Sequence, residues 1–150
     1  MRQNSDLYLV DTNVISANSP NRKAHARVAD WMDRHSDRLY LSAVTIAEIE
    51  DGIAKLRREG ARQKAGNLAA WIETLLHLYR DRVLAFDVDV ARVAGALSDK
   101  ARGLGVAPGF ADIAIAATAS HHSLTLLTRN TRDFTPLGIG LLDPFEELPG

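Results

Sequence analysis

Four polar positions lie where apolar residues or a strand end surround them. Asp11 directly follows the apolar run Leu7-Tyr8-Leu9-Val10. Glu48 falls within the first two turns of a helix expected from Ala43. Asp112 interrupts Phe110-Ala-Asp-Ile-Ala-Ile-Ala-Ala-Thr-Ala, apolar on every other side. The Asn130/Asp133 pair occupies the polar turn after Leu124-Thr125-Leu126-Leu127-Thr128. Bringing such carboxylates together is unfavourable by itself, since two unit charges about 4 Å apart repel by about 4 kcal/mol at an effective dielectric near 20. Either their pKa values rise or a divalent ion fills the gap. An all-oxygen donor set suits Mg²⁺ or Mn²⁺ rather than zinc, and such an ion neutralises and orients a phosphate and generates hydroxide for in-line attack. That is the chemistry of nucleases and phosphatases.

Each acid also has a plainer role. Asp11 can cap a helix beginning at Thr12 or Asn13, and Glu48 can be a solvated helix glutamate. Asp112, in the first turn of its helix, gains about 0.3–1 kcal/mol from the helix dipole. Burial of an unpaired carboxylate costs several kcal/mol, so it needs a cation besides. No Lys or Arg lies within its helix, which leaves a metal ion or an arginine from elsewhere, such as Arg129.

The elements that must position these groups alternate. Leu7–Val10 reads as a buried strand, and Ser16-Ala17-Asn18-Ser19-Pro20-Asn21 as turn chemistry. From Arg22 to about His35, Ala24, Val28, Trp31 and Met32 recur at helical spacing. Leu39–Leu41 is a second strand, ended by Ser42 as the N-cap of a helix from Ala43 to about Arg58, with Gly60 as its stop. A helix from Arg62 to Tyr79 carries Leu68, Ile72, Leu75, Leu76 and Tyr79 on one stripe. Val83–Phe86 is a third strand, and Asp87 caps a helix from Val88 to about Arg102. Gly103, Gly105 and Pro108-Gly109 form a loop before the apolar helix from Phe110 to about Ser120, which must be buried. Leu124–Thr128 is a strand, 129–134 a polar turn, and Ile139–Leu142 an edge strand. Strands alternating with helices predict one α/β domain, a parallel sheet covered on both faces. In such a sheet the residues after Val10 and after Leu127 emerge at the same edge, where ligands bind.

The chain has 150 residues, about one domain's length. Lys+Arg number 18 against 19 Asp+Glu, a formal charge of -1, so any nucleic-acid contact must be local rather than a global basic field. The absence of cysteine excludes disulfides, thiolate metal sites and Cys nucleophiles. The short apolar run after Arg2-Gln3-Asn4-Ser5-Asp6 is too short for a signal-peptide core or a membrane span. The expected location is the cytoplasm, with no membrane partner.

In these residues the chain resembles the PIN-domain ribonucleases, in particular the VapC-type toxins of type II toxin–antitoxin systems. The resemblance is carried by Val10-Asp11-Thr12-Asn13, Ser42-x-x-Thr45-x-x-Glu48-Ile49, Asp112-Ile113-x-Ile115-Ala116-Ala117-Thr118-Ala119 and Leu127-Thr128-Arg129-Asn130-x-x-Asp133-Phe134, in order across nearly the whole chain. It implies a single PIN-like domain over 1–150, an α/β/α sandwich around a central, mainly parallel, four- to five-stranded sheet. It also implies Mg²⁺-dependent hydrolysis of RNA phosphodiester bonds, with Mn²⁺ as substitute, and a homodimer inhibited by a small antitoxin protein. Carried over, Asp11, Glu48 and Asp112 are the constant metal-site acids and Asp133 the fourth. Asn130 stands where some family members place an acid, and becomes a hydrogen-bonding member of the site. Thr12, Asn13 and Thr128 orient water or carboxylates.

RNA needs positive charge near these acids. Arg129 and Arg132 stand beside the site, and Arg57, Arg58 and Arg62 at a separate helix end. His121-His122 closes a helix, where a positive group is favoured, and no histidine spacing suggests a metal site. Competing readings are a stand-alone RNA-processing or DNA-cleaving PIN nuclease, an aspartyl-nucleophile phosphohydrolase, and a Mg²⁺-binding receiver-like signalling module. The phosphohydrolase wants a second acid two residues after Asp11, where Asn13 stands. The receiver wants a late lysine at a strand end, where Arg129 follows Thr128.

Overall fold

The computed structural model of the chain describes residues 7–20 and 25–150. Five short strands form one sheet: β1 (Tyr8–Val10), β2 (Leu39–Ser42), β3 (Val83–Leu84), β4 (Thr125–Leu127) and β5 (Leu141–Leu142), in the order β3-β2-β1-β4-β5. Every pairing is parallel. The helices are α1 (Thr12–Ile15), α2 (Ala26–Arg34), α3 (Ala43–Arg58), α4 (Arg62–Tyr79), α5 (Val88–Gly103), α6 (Phe110–His121) and α7 (Thr131–Phe134). The expected helix from Arg22 thus appears as α2. Its positions Arg22 to Ala24, like Arg2 to Asp6, lie outside the described residues.

Alternation along the strands divides the core into two layers. Tyr8 and Val10 of β1 face α2, α3 and α4 through Trp31, Met32, Ile49, Ile53, Ile72 and Leu75. Leu9 faces the other way, into a layer built from α5 and α6 with Val90, Ala94, Ile113, Ile115 and Phe134. Both sheet faces are therefore covered, as the sequence leads one to expect. Helix α6 is buried continuously from Ile113 to Ala119, which its all-round apolar sequence requires.

The caps act where the sequence places them. Ser42 Oγ accepts from the Val44 N–H at 3.0 Å, and Asp87 Oδ1 from the Val90 N–H at 3.0 Å. Past the end of α3, Gly60 adopts φ 85°, the left-handed conformation that lets the chain turn into α4.

The strands expected at 124–128 and 139–142 are shorter, Thr125–Leu127 and Leu141–Leu142, and two further elements differ from expectation. The third strand stops at Leu84 rather than Phe86, because its partner β2 ends at Ser42, opposite Leu84. Beyond that point Ala85 and Phe86 have no strand to bond. Phe86 instead packs edge-on against the Phe110 ring at 5.6 Å. The polar turn after β4 winds into the short helix α7.

Candidate active site

The register brings the first site residues together. Val10 pairs with Leu127, so Asp11 and Thr128 leave the sheet side by side, and the Asp11 N–H donates to Leu127 O at 2.9 Å. Strands run from β1 outward to β2 and β3, then return to β4 on the other side of β1. The chain therefore changes direction between β1 and β4, the place where open α/β sheets leave a crevice at their carboxyl edge.

Asp11 is only 4% exposed. Its Oδ1 accepts from the Thr12 N–H at 2.8 Å. Its Oδ2 accepts from Thr128 Oγ1 at 2.7 Å and from Asn13 Nδ2 at 3.3 Å. Three acceptances of the about four a carboxylate offers leave room for one further partner. The cap and the candidate site acid are thus the same residue, since Asp11 is also the N-cap of α1.

Glu48 is exposed on α3 and held from α1. Thr12 Oγ1 donates to Glu48 Oε1 at 2.5 Å and lies 3.1 Å from Thr45 Oγ1. A hydroxyl has one proton and an ionised carboxylate only accepts. The contact with Thr45, which is fully buried, therefore has Thr45 as its donor. Asp112 stands half-buried in the first turn of α6. Among the described residues it makes no ion pair, and the arginine weighed as its partner, Arg129, lies over the Phe145 ring instead, Cζ 4.4 Å from the centroid.

A cleft of about 460 Å³ is lined by Asp11, Thr12, Asn13, Ser16, Glu48, Asp112, Arg129 and Asn130. Asp133 does not line it. It borders an adjoining cleft of about 370 Å³ together with Arg132 and the 106–109 loop, and Asp112 belongs to both walls. Asn130 therefore faces Asp11 and Glu48, whereas Asp133 acts on Asp112. Arg57, Arg58 and Arg62 are distant: at about 1.5 Å of rise per residue, Arg57 lies about 14 Å along α3 beyond Glu48.

Burial first, and neighbouring acids after it, raise two of these carboxyls. Burial pushes the Asp11 carboxyl up from 3.8 to about 6, against the pull of its bonds from Thr128 and Thr12, and the charges of Asp112 and Glu48 push it further. Asp112 is raised too, first by burial, then by Asp133 and Glu48. Among the described residues no three His, Cys, Asp or Glu side chains converge tightly enough to ligate one ion in their present positions. The donor chemistry nevertheless fits a hard divalent cation, because three carboxylates share a wall, none is neutralised by a described basic side chain, and two are held protonated too readily for their type.

Thr45 belongs to the Ser42-x-x-Thr45-x-x-Glu48 motif, whereas the sequence does not single out Ser16 or Phe145. Thr45 carried a signal, a Thr one helical turn before Glu48. Ser16, one turn after Thr12, and Phe145, an aromatic in a polar terminal stretch, carried none that points to this cleft.

A family profile described as PIN domain matches residues 8–137. The chain is similar to Toxin FitB of Neisseria gonorrhoeae, 36% identical over 144 residues that cover 94% of this chain and 100% of that relative. It is similar to VapC ribonuclease Y4jK of Sinorhizobium fredii, 35% identical over 141 residues, 93% of this chain and 99% of the relative. Among solved structures, the crystal structure of FitAcB from Neisseria gonorrhoeae superposes with a TM-score of 0.79 at 37% identity, covering 93% of this chain and 99% of that one.

Proposed function

The chain belongs to the PIN-domain family, and we propose that it is a Mg²⁺- or Mn²⁺-dependent endoribonuclease, the toxin of a toxin–antitoxin pair. The observation that carries this is the meeting of Asp11, Glu48 and Asp112, from three separate segments, on one cleft at the carboxyl edge of the sheet with no described cation paired to them. The relatives named as a toxin and as a VapC ribonuclease support the activity, and a toxin of this kind calls for a small protein partner that silences it. The resemblance to the VapC-type toxins extends this reading to a homodimeric active form. Among the described residues no helix is long and apolar enough to cross a membrane.

Asp11, Glu48 and Asp112 would hold the cation, which when bound neutralises phosphate oxygens and lowers the pKa of water. The protein's own groups prepare the place. Thr128 and the Thr12 N–H fix Asp11 with a vacant acceptor position. The Thr45–Thr12 relay aims Glu48, which an exposed glutamate cannot do for itself without loss of side-chain entropy. Asp133 keeps charge pressed on Asp112 from behind. Asn130 and Asn13 bring hydrogen-bonding amides without adding to the negative charge, and Thr128 accepts the Asn130 N–H at 3.0 Å to hold that turn against the site.

The decisive experiment incubates the purified chain with total RNA and Mg²⁺ and sequences the new ends. Cleavage at defined sites, lost on chelation and in Asp112→Asn, and silenced by a small co-expressed protein from the adjacent reading frame, is the expected result. Asp112→Asn cleaving at the unvaried rate would overturn the assignment of the site. Cleavage that no such protein silences would instead make the chain a stand-alone nuclease.

A further inference from the structure

Arg129 lines the cleft with Asp11, Glu48 and Asp112, yet among the described residues it pairs with none of them. A guanidinium is permanently charged and forks readily onto carboxylates, so something must keep it apart. Its main chain is tied inward, the N–H donating to Asn13 Oδ1 at 3.2 Å while Asn13 Nδ2 reaches Asp11 Oδ2. Its side chain is tied outward, stacked 4.4 Å over the Phe145 ring. Phe145 is itself fixed. Its N–H donates to Asp143 Oδ1 at 2.9 Å, its ring meets the His25 ring edge-on at 4.8 Å, and it packs half-buried against the core on the α2 side of the sheet.

We propose that Arg129, stacked on Phe145 at the rim of the acidic cleft, is the contact for an RNA backbone phosphate, and that Phe145 is its positioning residue. The contact with the ring runs through the guanidinium carbon, and among the described residues the guanidinium N–H groups donate to no acceptor, which leaves them free for phosphate oxygens. An arginine folded onto the acids could not do this, and would also displace a cation from them. The assignment rests on the reading of this site as an RNA nuclease and gives it a substrate-binding group that the acids alone cannot supply.

Binding is measured by anisotropy of a fluorescein-labelled single-stranded RNA of mixed sequence, in an Asp112→Asn background, across a range of salt concentrations. Arg129→Gln is expected to weaken binding about 5- to 10-fold and to reduce the salt slope by about 0.7, the loss of one phosphate contact on a single strand. Phe145→Leu is expected to weaken it in the same direction but less, Phe145→Tyr to restore it, and the Arg129→Gln/Phe145→Leu pair to bind no worse than Arg129→Gln. Unchanged affinity and slope in Arg129→Gln would overturn the proposal, as would a Phe145→Leu loss that adds in full to that of Arg129→Gln. Cleavage by the unvaried chain is assayed alongside. If it cuts RNA while Arg129→Gln binds normally, only this inference falls. If it neither binds nor cuts RNA, the nuclease reading falls and takes the inference with it.

Discussion

Asp112 shows at the scale of one residue how a candidate site acid differs from a structural one. Burial, Asp133 and Glu48 all push its carboxyl up, and among the described residues its side chain accepts no hydrogen bond that an amide would forfeit. Metal-free Asp112→Asn should therefore melt higher than the unvaried chain at pH 7. Water screens a half-buried carboxylate, so the gain is small, about 2 °C. Differential scanning calorimetry in chelator checks it, and a lower melting point would mean that Asp112 holds the fold together. A carboxylate in an all-apolar helix was legible as an anomaly from the sequence alone. What could not be read was the disposal of Arg129, because stacking on Phe145 depends on a terminal segment sixteen positions away whose path no local pattern announces. Asp133 illustrates the same limit. Its distance from Asn130 is three residues in sequence, but the turn between them winds into α7, and that winding sends one side chain to the main cleft and the other to its neighbour.

Elements with long periodic faces were legible, and those held by single contacts were not. The stripes of α3 and α4 and the apolar run of α6 announce helices because the core demands them. The junction between α4 and β3 rests instead on Arg82, whose guanidinium donates to Ser36 O, to Leu39 O at 2.7 Å and to Leu78 O at 3.1 Å while lying 4.9 Å from the Tyr79 ring. It ties the chain before β2, the start of β2 and the end of α4 together, just after Arg80 takes the strained φ of 41°. Arg82→Met keeps most of the stem packing but leaves carbonyls without their donor. A loss of about 2–3 kcal/mol follows from hydrogen bonds to a charged group, read as a lower urea midpoint with an unchanged slope. A variant as stable as the unvaried chain would show that water replaces all three bonds. An arginine within Arg80-Asp81-Arg82 reads in sequence as a solvated turn, so no pattern distinguishes this one.

For the whole molecule, the alternation of strands and helices made a parallel sheet legible, and with it the shared edge of Asp11 and Thr128. The strand order was not, since short strands of two to four residues carry too little pattern to choose their neighbours. That order sets the price of the site: the change of direction between β1 and β4 gathers acids that repel, and the fold must bear their charge. Because the folded carboxyl of Asp11 sits near 6 against 3.8 unfolded, the metal-free folded state binds the extra proton between those values. Its stability then rises as pH falls through about 6 and levels off toward 3.8, and it is lost again as pH rises. Two pK units correspond to at most about 3 kcal/mol. A divalent cation substitutes for the proton, so saturating Mg²⁺ or Mn²⁺ at about 100 times its Kd should stabilise the chain by about 2.7 kcal/mol at pH 7. At pH 5 the gain should be markedly smaller, because the ion must then displace a proton from Asp11. Urea denaturation at both pH values, with metal and with chelator, separates the two effects. Equal stabilisation by metal at pH 5 and pH 7 would mean that the ion binds somewhere other than the buried carboxylate at the end of β1.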